Sequence, residues 1–98
     1  MVIHIVAWNF ASSIDEEEKA TLFEKIKYEM EKLAIIDGCI DIEVHSCLKT
    51  STKDITLIGK YESVDALQAY ATHPSHIEAK NQFVDVLVDR EAIDYYID

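Results

Sequence analysis

The sequence predicts an α+β domain of order β-α-β-β-α-β, with a four-stranded antiparallel sheet and helices on one face. Three observations carry this. Short β-rich segments at 2–10, 39–48, 54–61 and 92–97 frame two stretches of helical spacing. Asp37-Gly38 and Pro74 stand where one periodicity gives way to another. At 98 residues the chain has room for one compact core and no second domain. In this order the crossovers are right-handed, both helices land on the same face, and the first and third strands are central.

The first strand carries Val2, His4, Val6, Trp8 and Phe10 on one face and Ile3, Ile5 and Ala7 on the other, so it is covered on both sides. Ser12-Ser13-Ile14-Asp15 opens a helix, with Ser13 and Glu16 spaced as a capping box and the acidic run to Glu18 at the positive end of the dipole. From about residue 15 to 35, Leu22, Phe23, Ile26, Met30 and Leu33 recur at helical spacing, and Asp37-Gly38 ends the element. Cys39 to Leu48 alternates Ile40, Ile42, Val44 and Leu48 against Asp41, Glu43 and His45, the pattern of an edge strand with one wet face. After a polar turn at 49–53, Asp54 to Tyr61 forms a third strand, in a hairpin with the second. Ser63 or Asp65 starts the second helical region, where Val64, Leu67 and Tyr70 share a stripe until Pro74 removes a backbone donor and breaks it. His73, preceding the proline, is extended or turn-like. Helical spacing resumes over about 75–88 with Ile77, Phe83, Val84, Leu87 and Val88, and Ala92 to Ile97 closes the sheet.

Nineteen acidic against nine basic residues give a net charge of −10, which argues against nucleic acid or an anionic membrane surface as partner. The apolar opening Met1 to Trp8 has no basic lead-in or cleavage site and is read as a strand of a cytoplasmic protein. Cys39 and Cys47 lie eight residues apart on one strand, about 26 Å at strand rise, too far to bridge, so both are expected as reduced thiols. The helices leave Ile3, Ile5 and Ala7 uncovered. A second copy of the same sheet is the simplest cover, and a sheet-to-sheet homodimer is expected.

The opening His4-Ile5-Val6 with Trp8 and Phe10, Tyr61-Glu62-Ser63 before the second helix, Tyr70 followed by His73-Pro74-Ser75-His76, and the closing Asp94-Tyr95 together resemble the stress-responsive dimeric α/β-barrel (Dabb) family over essentially the whole chain. The resemblance implies a ferredoxin-like protomer, a dimer whose sheets form a barrel, and no cofactor. Its characterised members include a plant polyketide cyclase, and cofactor-free monooxygenases of aromatic polyketides are related barrels. By that resemblance His76 would be a general base, Asp94 its orienting partner, and Tyr70 and His4 polar wall groups. A further helix-one tyrosine of the cyclase aligns with Ile26 here, and Tyr28 lies about 200° around the helix from that position.

The residues themselves allow two readings of the site. His4 is either a hydrogen-bonded structural histidine or a polar group at a pocket wall. His76 has an imidazole suited to proton transfer near neutral pH, or serves a structural bond to Asp94. The Tyr70 ring belongs to the core stripe whatever its hydroxyl does. His73 and His76 have a spacing that holds a metal only if helical, which Pro74 opposes, so no metal is expected. No Gly-rich phosphate loop or nucleotide fingerprint is present, and neither cysteine has a basic neighbour to activate it. Two functions follow. One is binding of a small apolar or aromatic molecule between helices and sheet, against Val6, Trp8, Phe23, Ile26, Leu57 and Leu87. The other is cofactor-independent catalysis on a polyketide-like or aromatic carbonyl substrate.

Overall fold

The computed structural model describes residues 1–97. The elements are β1 (Val2–Phe10), α1 (Glu16–Glu31), β2 (Cys39–Ser46), β3 (Ile55–Tyr61), α2 (Val64–Thr72), α3 (Pro74–Asn81) and β4 (Leu87–Tyr96), with a 3-10 turn over Lys32–Ile35. The strands run in the order β2-β3-β1-β4 and every pairing is antiparallel. The first and third strands are therefore central, and the fold is the ferredoxin-like one expected from the sequence.

Register explains which side chains meet. His4 lies opposite Gly59, Val6 opposite Leu57 and Trp8 opposite Ile55, forming rows on the helix-bearing face. Ile26 and Met30 of α1, Tyr70 of α2 and Ala79 of α3 close over these rows, joined by Phe83 and by Ile42 and Val44 of β2. Ile26 and Tyr61 have no exposed surface at all. On the face away from the helices, Ile58, Ile5 and Ile93 line up across β3, β1 and β4, and Ile93 is 62% exposed.

The helix ends follow from local chemistry, with one shift. α1 is capped by Asp15, whose N–H donates to the Glu18 carboxylate at 3.3 Å. The cap expected at Ser13 and Glu16 sits two residues later because Ile14 N–H donates to the Ala11 carbonyl, committing residues 11–14 to a tight turn. Past the 3-10 turn, Gly38 adopts φ +85°, and a Cβ there would stand 2.7 Å from Cβ of Ala66. Both the backbone angle and the approach of α2 require glycine. Ser63 Oγ caps α2 by accepting from Ala66 N–H at 3.1 Å, and Pro74 occupies the first turn of α3, where its missing donor costs nothing.

The helix expected over 75–88 ends instead at Asn81. Gln82, Phe83 and Val86 N–H groups donate to the carbonyls of Ala79, Lys80 and Phe83, a run of tight turns. Leu87 then enters β4 opposite Phe10, well before the strand start expected at Ala92. The apolar run 83–88 suits either period, and the unpaired edge of β1 decides between them, because its backbone groups need partners. Between Ala7↔Glu91 and Asn9↔Val88 the pairing slips by one residue, and Asp89 takes φ +56° in the resulting bulge. Cys39 and Cys47 are both free. Among the described residues no helix is long and apolar enough to cross a membrane.

Candidate functional site

α2 and α3 stand off β4, and the gap they leave is a cavity of about 680 Å³ lined by β1, β4, both helices and the turns after α3. Val6, Trp8, Ile26, Leu57 and Leu87 line it as expected from the sequence, joined by Met30, Leu67 and Phe83. Phe23 does not line it. It lies one turn before Ile26 on α1 and packs, partly buried, against the core instead.

Four polar side chains named from the sequence converge on this cavity: His4, Tyr70, His76 and Asp94. Their pairing differs from expectation. Asp94 faces His4 across the β1–β4 ladder, and its carboxylate accepts from Nδ1 of His4. The carboxylate that was to orient His76 thus orients His4, since strand register fixes His4 and Asp94 as directly opposed neighbours.

His76 has a different anchor. Its Nδ1 lies 3.0 Å from the Ala71 carbonyl oxygen, which only accepts, so Nδ1 carries the proton and Nε2 is left with its lone pair. The ring packs on Tyr70 with centroids 4.5 Å apart. Burial pushes the His76 imidazole below its ordinary pKa, and the positive charges of Lys80 and Arg90 push the same way against the Ala71 bond. A neutral imidazole results.

Tyr70 is 2% exposed, its ring 5.0 Å from that of the wholly buried Tyr61, and the two hydroxyls, both shut off from solvent, meet each other without a hydrogen bond of regular geometry. Burial pushes the Tyr70 phenol up to about 12 and raises Tyr61 as well. Gly59 makes this arrangement possible, because a Cβ there would come within 2.7 Å of the Tyr61 hydroxyl oxygen.

His73 is spent locally. Its φ of −64° and ψ of 134° are the extended geometry a following proline imposes, and Nδ1 accepts from Ser75 N–H at 3.0 Å to cap α3. His45 lies 3.4 Å from Glu43 on the exposed face of β2, remote from the cavity. Among the described residues no three His, Cys, Asp or Glu side chains gather into a metal-holding cluster.

Three charged residues of the cavity were missed by sequence reasoning: Lys80, Asp89 and Arg90. Lys80 is four residues beyond His76 on α3, which places both on one helix face. Arg90 is four residues before Asp94 and shares its strand face, but only once β4 is known to begin at Leu87.

A family model described as the stress responsive A/B barrel domain matches residues 2–97. No curated protein matches the chain. Among solved structures, a dimeric ferredoxin-like protein of unknown function from Bacteroides fragilis is 28% identical, with TM-score 0.89 over 98% of this chain and 95% of that one. A dimeric ferredoxin-like protein of unknown function from Thermobifida fusca is 20% identical, with TM-score 0.81 over 98% and 90%. A candidate antibiotic biosynthesis monooxygenase from Deinococcus radiodurans is 16% identical, with TM-score 0.79 over 100% and 93%, a likeness of fold.

Proposed function

The chain belongs to the stress responsive A/B barrel domain family, and from that premise we propose that it binds a small molecule with an apolar or aromatic body in the 680 Å³ cavity. The observation that carries this reading is the convergence of His4, His76 and Asp94 on a cavity that Val6, Trp8, Ile26, Leu57 and Leu67 also line. A cavity of that volume suits a drug-sized ligand, and few convergent polar groups on an apolar lining are what such sites use for orientation. The test is titration of aromatic ligands against the Trp8 fluorescence of the intact protein. Saturable quenching that weakens at least several-fold in Leu67→Arg, whose longer side chain occupies the cavity, is expected, and equal affinity in both proteins would remove the support.

The second reading is cofactor-independent enzymology, favoured by the tautomer of His76. With Nδ1 holding its proton for Ala71, Nε2 is a base near neutral pH. It would take a proton from the carbon next to a substrate carbonyl, leaving the electron pair on the substrate as an enolate. The fold-level likeness to a candidate monooxygenase is compatible with such chemistry. Turnover of an aromatic polyketide-like substrate surviving His76→Ala would rule this reading out.

We further propose a homodimer through the sheet. The row Ile58, Ile5 and Ile93 is apolar and lies on the face without helices, and two of the similar structures are dimeric proteins. A second sheet supplies a cover of matching shape and chemistry.

A further inference from the structure

The donors and acceptors around the cavity are unequally committed. Both carboxylates are engaged: Asp94 accepts from His4, and Asp89 Oδ2 accepts from the Asn9 amide at 3.1 Å. Both cations are idle. Among the described residues Lys25, Lys49, Lys60, Lys80 and Arg90 take part in no ion pair, and of these five Lys80 and Arg90 line the cavity. In a chain of net charge −10, unpaired cations have many possible partners, yet these two face the cavity instead.

We propose that the ligand is an aromatic or acyl carboxylate whose anionic head is held by Lys80 and Arg90 at the polar end of the cavity. This rests on the cavity being a ligand site. Formal charges of the four lining residues balance, so attraction at long range is not the argument. What is left over is hydrogen-bond donors: a guanidinium fork that matches a carboxylate edge, and an ammonium group. The neutral His76 beside them adds no competing charge, and the apolar wall of Trp8, Leu57, Leu67 and Phe83 receives the body of the molecule. The β4 bulge has a part in this. Arg90 alternates with Ala92 and Asp94 onto the cavity side, and the extra residue between Val88 and Glu91 lets Asp89 turn off to Asn9.

The experiment is calorimetric titration of the whole chain with two acid–amide pairs, 2-naphthoate with 2-naphthamide and octanoate with octanamide. In the wild type the acid of at least one pair is expected to bind roughly tenfold more tightly than its amide, the scale of a charge-assisted hydrogen bond. That preference shrinks as salt is raised from about 0.05 to about 0.5 M. In the doubly substituted Lys80→Gln, Arg90→Gln protein, both changes being at exposed positions, the preference falls close to one while the amide affinity holds. Equal binding of acid and amide by the wild type overturns the carboxylate assignment and leaves the cavity reading intact. So does an acid preference that survives in the double variant. If no member of either pair binds, or Leu67→Trp leaves all binding undiminished, the cavity reading falls and the assignment with it.

Discussion

Burial first, then the charges of Lys80 and Arg90, hold His76 below its ordinary value of 6.5. The unfolded chain therefore takes up this proton before the folded one does as pH falls. Stability that is fully present above about pH 6.5 is lost progressively below it, until folded His76 itself protonates. His76→Gln is expected to flatten this part of the stability–pH curve, read from urea melts between about pH 7.5 and pH 5; an unchanged slope would locate the effect elsewhere. Tyr70 makes the opposite kind of claim. Its hydroxyl is buried against that of Tyr61 without a bond of regular geometry, so Tyr70→Phe should leave stability unchanged or raise it by about 1 kcal/mol, and a loss above about 1 kcal/mol would mean that the two hydroxyls are firmly bonded. The residue types of this site were legible in the sequence, since His4, Tyr70, His76 and Asp94 all reach the cavity. Their pairing was not, because Asp94 meets His4 through a strand register set 90 residues apart.

The elements were legible where one periodicity or a breaker residue decides. Pro74 separates α2 from α3 and Gly38 opens β2 at the expected places. Gly38→Ala combines a left-handed backbone angle with a 2.7 Å approach to Ala66, so a loss of about 2–3 kcal/mol is expected from chemical denaturation with unchanged slope. A loss under about 0.5 kcal/mol would show that α2 yields easily. The stretch 82–91 was not legible. Phe83, Val84, Leu87 and Val88 are apolar at spacings that fit a helix, and the bulge at Asp89 disguises the alternation of β4.

At the scale of the whole molecule, the open sheet face is the main unspent surface. Ile93 sits at the end of the Ile58–Ile5–Ile93 row, and a charge placed there would be buried without a partner in the proposed dimer. Ile93→Glu is expected to halve the mass seen by light scattering at micromolar concentration while circular dichroism keeps its folded form. A wild type that is already monomeric under those conditions would remove the dimer.

The sequence by itself determined the element order, the central place of β1 and β3 and the family, because periodicity, breakers and short motifs are local and survive in one dimension. Only the tertiary structure decided that Asp94 orients His4 rather than His76, that β4 begins at Leu87, and that Lys80 and Arg90 share a cavity with them. Those facts depend on which backbone groups find each other across the sheet. That is settled by the pairing needs of the β1 edge and by one inserted residue, neither of which leaves a mark on local patterning.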